Sequence, residues 1–375
     1  MGTVYLVIAR GPAGWTKLKV VKQMHPDVGD DERRRNMFLD EARLSARLNH
    51  PNIVQTNEVG FDGEQYFIEM EYLEGQSLSA LMRETETTGG VPLPIALFIL
   101  TQVLLGLHYA HELRDLEGRP LHVVHRDVSP HNVIVTYEGA VKLLDFGIAK
   151  AVDSSSRTEA GATVGKLHYM APEQVLSGRY LPGQAAPPGE RVIDRRADVF
   201  AVGILLWQAM TRRRLWADHS DLDVASRIAA GDIPKPSTVE PSADRTLEAI
   251  CMKALAPEPA DRFATASEFA DALDAVLRAG DEHVGARQIG ELMGRLFGAQ
   301  REKQRALIER RIKSVSEEPS GASLNPVDAP SDPRYLRMGA SDSSPPAASS
   351  GPAAPSSEET RSDTRTVAEV PNARR

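Results

Sequence analysis

The chain is poor in the residues that would anchor several common classes of protein.

 It has 375 residues but one cysteine, Cys251. A disulfide framework or a thiolate-rich metal centre within one chain is therefore excluded, and the reducing cytoplasm is the default compartment. Basic residues are not in excess: the net charge is -8, which argues against a nucleic-acid binder. No stretch reads as long enough to span a membrane, because the longest apolar run, around Ile95–Leu107, is broken by Thr101, Gln102 and Gly106. A signal-peptide pattern is missing too, since Arg10 and Gly11 end the first apolar run. What remains is ordinary for a globular protein, with 26% charged and 41% hydrophobic residues.

Residues 1–75 read as strands with one helix. Val4–Ala9 and Leu18–Met24 are strands around the turn Gly11-Pro12-Ala13-Gly14. Asp30–Leu48 is helical, with Phe38, Ala42 and Ser45 on one face, and the Asn49-His50-Pro51-Asn52 segment stops it. Ile53–Phe61 and Gln65–Tyr72 are two further strands. From 76 to 280 helices dominate, at Pro94–Glu112, Asp198–Thr211, Leu222–Ala230, Asp244–Ala254 and Ala266–Arg278. Val133–Thr136 and Val141–Leu144 form a hairpin, and Leu181–Arg191 is a loop. Residues 281–313 form a helical extension in which Ile289, Leu292, Met293, Leu296 and Phe297 share a face. Residues 314–375 are rich in Ser, Pro and Ala and are expected to be disordered. The expected fold class is α+β, with a small antiparallel-sheet unit and a larger helical one.

Four stretches carry chemistry together. They are His125-Arg126-Asp127-Val128-Ser129-Pro130-His131-Asn132, Asp145-Phe146-Gly147, Ala171-Pro172-Glu173, and Val20-Val21-Lys22 followed by Glu41. Phosphoryl transfer needs positioning and charge compensation more than covalent help. Asp127 is suited to orient an attacking hydroxyl. Asn132 and Asp145 offer hard oxygen ligands for magnesium. Lys22 is a cation for phosphate, and Glu41 a carboxylate to aim it. Each residue alone has a plainer reading: Asp127 as a turn cap, Lys22 and Glu41 as solvated side chains, Met70 as core packing. Their order and spacing favour the catalytic reading.

From Gly2 to about Arg278 the chain resembles the serine/threonine protein kinases, in their bacterial branch. The resemblance implies ATP and Mg2+ as cofactors and protein substrates as partners. It assigns Asp127 as catalytic residue, Lys22 as phosphate ligand, and Asn132 and Asp145 as metal ligands. Phe67–Leu73 would enter the hinge, with Met70 beside the adenine and backbone groups of Glu71 and Leu73 bonded to its edge. Val4, Val20 and Ile134 would sandwich the ring. Asp198 would hold the catalytic-loop backbone, Arg262 would pair with Glu173, and Arg126 would receive an activation-loop phosphate. Thr158 and Thr163 are the candidate phosphosites.

Three positions depart from that family's pattern. Ser129 stands where a lysine is usual, and Lys166 where a threonine is usual. Gly2 and Val4 match only the end of the glycine-rich loop, so the first strand and two glycines are expected to be missing. Two explanations are open: a start that lies upstream, or ATP held mainly by Lys22, magnesium and the hinge. The strand Val4–Ala9 would then present a bare sheet edge. Two other functions compete: a kinase-fold binding module without transfer, and a small-molecule kinase of the aminoglycoside-phosphotransferase type. The Ala171-Pro172-Glu173 segment and Arg262 argue against the latter.

Overall fold

The structure is a computed structural model, and it describes residues 3–10, 15–24, 32–62, 65–146, 167–177, 193–217, 219–280, 283–317 and 335–337. All of them belong to one compact unit, 1–340; a second unit, 341–375, lies outside the described residues.

The small lobe is an antiparallel sheet carrying one helix. Strands β1 (Thr3–Arg10) and β2 (Thr16–Gln23) pair along their full length. Helix α1 (Glu32–Ser45) follows, then β3 (Thr56–Phe61) and β4 (Tyr66–Glu71), which pairs with both β3 and β2. Alternation divides the sheet's residues between two faces. Val7, Ala9, Val21 and Phe67 form one apolar cluster. Ile68 and Met24 meet Phe38 and Ala42 of α1 in another, and this burial docks the helix on the sheet.

The chain then passes through Tyr72–Glu74 into the large lobe. There β5 (Gly75–Ser77), β6 (Val133–Thr136) and β7 (Val141–Leu143) make a second small sheet. Gly75 is needed for the approach, since a Cβ there would lie 2.4 Å from the Val135 carbonyl oxygen. Helix α2 (Leu78–Thr85) starts at Ser77, whose hydroxyl accepts from the Ala80 amide. Helices α3 (Leu93–His111) and α5 (Arg196–Thr211) form the centre, with short α4 (Pro172–Ser177) before α5. Around them stand α6 (Asp221–Ala230), α7 (Pro236–Val239), α8 (Arg245–Ala254) and α9 (Ala266–Ala279). The side chains of Ser220, Asp244 and Thr265 accept from the backbone amides of Asp223, Leu247 and Glu268 and fix where α6, α8 and α9 begin.

Three expectations need correction. The apolar helix α3 is 19 residues long and reaches membrane-spanning length, because Thr101, Gln102 and Gly106 do not interrupt a helix. Its residues Ile99, Val103, Leu104 and Leu107 are fully buried in the large-lobe core, and that is what its hydrophobicity serves. The β1 edge is not bare: β8 (Tyr335–Arg337) pairs with it antiparallel, Ile8 opposite Leu336. Unpaired edge groups accept any extended segment, and composition gave no sign that the tail would supply one. The helical extension is also longer than expected. Helix α10 (Ala286–Glu317) passes the 313 boundary, while 318–334 and 338–375 of the tail lie outside the described residues, as does the 181–191 loop.

One buried ion pair braces the large lobe. Arg262 donates to both oxygens of Glu173 at 2.7 and 2.8 Å, and neither side chain is exposed beyond 1%. Its remaining donors reach the carbonyls of Ala256, Pro257 and Arg196. Replacing Arg262 with alanine strands a buried carboxylate and three carbonyls. Arg262→Ala is expected to lower unfolding stability by about 3–5 kcal/mol, measured by urea titration. An unchanged midpoint would show that the pair does not brace the lobe.

Candidate active site

The site begins with a buried carboxylate. Asp198 lies in the first turn of α5 and is 1% exposed. Its Oδ2 accepts from the backbone N–H of His125 and from His111 Nε2, both at 2.8 Å, and its Oδ1 from the Arg126 N–H at 2.8 Å. Burial alone would raise its pKa. The hydrogen bond from His111 and those from the His125 and Arg126 amides outweigh that and hold it below the usual carboxylate range. The segment 125–132 is thereby hung from the core helix.

Within that segment the backbone is unusual. Arg126 has φ 64°, a left-handed conformation that costs about 1–3 kcal/mol for a residue with a side chain. The two amides held by Asp198, and the Arg126 carbonyl held by Gln174 Nε2 at 3.0 Å, over-determine it. The next residue, Asp127, is bonded by Asn132: Nδ2 donates to its carbonyl at 2.7 Å and to its Oδ2 at 3.1 Å. With Nδ2 so engaged, Asn132 Oδ1 is the atom left to face a cation.

The second segment is tied to the first by three contacts. Leu144 N–H donates to the Asn132 carbonyl at 2.9 Å. His125 Nε2 donates to the Leu144 carbonyl at 2.9 Å, which leaves Nδ1 to accept from the Asp127 N–H at 3.3 Å. The His125 ring also packs on Phe146, 4.6 Å between centroids. Phe146 is buried with Leu48, Ile53, Ala110 and Val123. Asp145, between Leu144 and Phe146, has φ 43° and turns toward the small lobe.

There it meets Lys22. The Lys22 ammonium, on β2, lies 2.7 Å from Glu41 Oε1 and 2.8 Å from Asp145 Oδ1. The Lys22 and Glu41 side chains are each 12% exposed, so water screens the pair poorly. Burial opposes the charge on Lys22, yet the two carboxylates prevail and raise its pKa above the ordinary lysine value. Sheet, helix and the 145–146 segment thus converge on one cation.

The other expected residues fall around this point. Met70 lines the same cavity as Lys22, Glu41, Thr56, Asp145 and Phe146. Val4 is the register partner of Lys22 and Val20 that of Met70, so each shares its partner's face of the sheet. Val4 is 50% exposed. Ile134 is half-buried, between Val133 and Val135, which point into the core. Glu71 ends β4, and Leu73 follows in the Tyr72–Glu74 link. Gly2, Thr158, Thr163, Gly147 and Lys166 lie outside the described residues. Among the described residues no cluster of three or more His, Cys, Asp or Glu forms a metal cage. Magnesium does not need one, since one or two oxygen ligands with phosphates and waters suffice, and Asn132 Oδ1 and Asp145 suit it.

Sequence reasoning missed two supports. Gln174 follows the Ala171-Pro172-Glu173 motif directly but carries no signal of its reach to Arg126. His111, at the end of an apolar helix, carries no catalytic signal in the sequence either. It bonds the carboxylate that organises the loop, a contact 87 residues distant in the chain.

The comparisons with known proteins identify the family. The protein kinase domain family matches residues 1–273. Tyrosine-protein kinase MasK of Myxococcus xanthus is 41% identical over 312 residues, covering 82% of this chain and 46% of that protein. Serine/threonine-protein kinase PknL of Mycobacterium tuberculosis is 33% identical over 256 residues, covering 68% and 58%. Serine/threonine-protein kinase PrkC of Bacillus subtilis is 30% identical over 249 residues, covering 66% and 35%. The chain therefore spans less than two thirds of the length of these curated relatives. Among solved structures, the PknI kinase domain of Mycobacterium tuberculosis superposes with a TM-score of 0.52 at 29% identity, over 73% of this chain and 91% of that one. By its family match, its relatives and its two-lobed fold, the chain belongs to the protein kinase domain family.

Proposed function

We propose that the chain is an ATP-dependent protein kinase that transfers the γ-phosphoryl group to serine or threonine hydroxyls of a protein substrate. The observation that carries the proposal is the placement of Lys22 between Glu41 and Asp145, at 2.7 and 2.8 Å. A binding module that had given up catalysis has no need to hold a buried cation between two carboxylates beside an ordered Asp127–Asn132 pair.

The proposed roles rest on the contacts of Lys22, Glu41, Asp127, Asn132 and Asp145 and, around the adenine, on the family resemblance. Lys22, aimed by Glu41, binds the α- and β-phosphates. Asp127, steadied by Asn132, orients the substrate hydroxyl and accepts its proton. Asn132 and Asp145 would hold magnesium, which when bound compensates phosphate charge. Val4, Val20 and Ile134 pack on the adenine, Met70 sits behind it, and the hinge backbone at Glu71 and Leu73 bonds its edge. Arg126 is half-buried, and burial lowers its pKa against the pull of Asp198. Such a guanidinium favours an incoming anion, consistent with a phosphate on Thr158 or Thr163. Use of ATP and magnesium is the basis for proposing that this domain works in the cytoplasm.

A second reading has one observation in its favour: the relative with 41% identity is named as a tyrosine kinase. One assay separates the readings. Incubation with γ-labelled ATP and magnesium is expected to label the protein, and Asp127→Asn to reduce the rate by about 10²–10⁴-fold. Hydrolysis of the labelled protein should release phosphoserine or phosphothreonine. Phosphotyrosine alone would replace the first reading with the second, and nucleotide binding without label would make the chain a docking module.

Lys166 is further proposed to supply the cation that Ser129 does not. Lys166→Ala is expected to slow transfer by about 10²-fold or more if the ammonium meets the transferring phosphate. An unchanged rate would remove Lys166 from the site.

A further inference from the structure

Helix α10 lies outside the region matched by the kinase family, which ends at residue 273. Its first half is nonetheless built into the large lobe. Ile289 and Met293 are fully buried and Leu292 and Phe297 are 5% exposed, all in the main core. Glycines allow the close fit. A Cβ on Gly139, whose φ is 84°, would lie 1.8 Å from the Ala286 carbonyl oxygen, and one on Gly290 would lie 3.0 Å from that of Tyr137. The helix start is thus seated on the β6–β7 turn.

The second half of α10 runs along the link between the lobes. Arg305 grips Glu74 with two donors, Nε to Oε1 and Nη2 to Oε2, the latter at 2.8 Å. Arg301 Nη2 donates to Glu74 Oε2 at 2.7 Å and also to Glu138 on the β6–β7 turn. The Arg301 guanidinium lies over the Tyr137 ring, 4.6 Å from its centroid. Tyr137 N–H in turn donates to the Glu74 carbonyl at 3.0 Å. Gln304 Nε2 donates to the Tyr72 hydroxyl at 3.2 Å. Two of the three residues between β4 and β5 are therefore held by α10.

A lone surface ion pair contributes little, but here one carboxylate takes a bidentate arginine and a second arginine on a rigid helix. The hydrogen bonds from Arg305 and then Arg301 hold the Glu74 pKa down to about 2. Its folded pKa is below the ordinary 4.5, so the charged contact is complete above that pH and is lost only as pH falls toward 2. It stays intact at any pH used to assay a kinase.

We propose that Arg301 and Arg305 of α10 are positioning residues for the nucleotide site, acting through Glu74 to hold the inter-lobe link in the conformation that binds adenine. This rests on the reading of Tyr72–Glu74 as the adenine-binding hinge. Neither arginine touches nucleotide. Their loss should loosen the hinge and weaken nucleotide affinity while leaving Lys22, Asp127, Asn132 and Asp145 in place.

The test uses the full chain with Arg301→Gln and Arg305→Gln together, Arg305→Lys alone, and Arg310→Gln as a control further along α10. The probe is MgADP, with affinity measured by calorimetry, followed by steady-state kinetics with ATP. The double variant is expected to raise Kd for MgADP and KM for ATP about 10-fold, with kcat within about 2-fold. Such a 10-fold change corresponds to about 1.4 kcal/mol. Arg305→Lys keeps the charge and should recover part of the affinity, and Arg310→Gln should match the wild type. Amide hydrogen exchange at Tyr72–Gln76 should accelerate in the double variant, with the unfolding midpoint little changed because the apolar anchor is untouched. Wild-type binding that the double variant reproduces with the same Kd and exchange rates would overturn the clamp alone. A wild-type chain that bound no MgADP would overturn the hinge reading and the clamp with it. A fall in kcat at unchanged Kd would also overturn the proposal, since the arginines would then act on chemistry and not on nucleotide binding.

Discussion

The site depends on one buried carboxylate. Asp198 sits in the core helix α5 with almost no exposure, where an unpaired charge would be costly. It is satisfied by two consecutive backbone amides of the 125–132 segment and by His111 of the other core helix, α3. Because the acceptor is rigid, the amides have one place to go, and the left-handed turn at Arg126 follows. Asp127 is thereby presented by the packing of two helices rather than by its own loop.

From that anchor the constraints extend outward. His125 bonds Leu144 and packs on Phe146, so the two functional segments share one apolar contact. Phe146 in turn packs beneath Leu48, just past α1. Asp145 is left to project toward the sheet, where Lys22 is already aimed by Glu41. Neither lobe contains the whole constellation. The relative placement of the lobes is accordingly part of the chemistry. That placement is shared among Lys22–Asp145, the Leu143 backbone bonds to Asn52 and Val54, and the link at Tyr72–Glu74.

Much of this was legible in one dimension. Lys22, Glu41, Asp127, Asn132, Asp145, Asp198, Glu173 and Arg262 sit in short motifs whose residue types suit phosphoryl transfer, and the structure brings each set into contact. Helical spacing was readable in α1 and the start of α10, whereas α3 and α5 are apolar on most sides and legible from length and apolar content. Less legible were contacts made by residues with several ordinary uses. A histidine at the end of an apolar helix, a glutamine after Ala-Pro-Glu and arginines in a charged helix all satisfy local rules in water. Nothing in their spacing names Asp198, Arg126 or Glu74 as partners. The apolar α3 shows the same ambiguity, since a core helix and a membrane span have similar composition and differ in what surrounds them.

The opening MGTVYLVIAR illustrates the division. Its apolar run, ended by Arg10 and Gly11, marked a strand, while the place of Val4 opposite Lys22 is a register set by strand pairing. Which strand would cover its outer edge was decided by tertiary structure, for edge hydrogen bonds are backbone groups common to every residue. The sequence by itself determined the chemistry on offer: the carboxylates, the lysine, the amide and their order. Only the tertiary structure decided that His111 bonds Asp198, that Asp145 reaches Lys22, and that α10 holds Glu74. Those contacts join residues 87 to 231 positions apart, and their geometry comes from packing that no local pattern encodes.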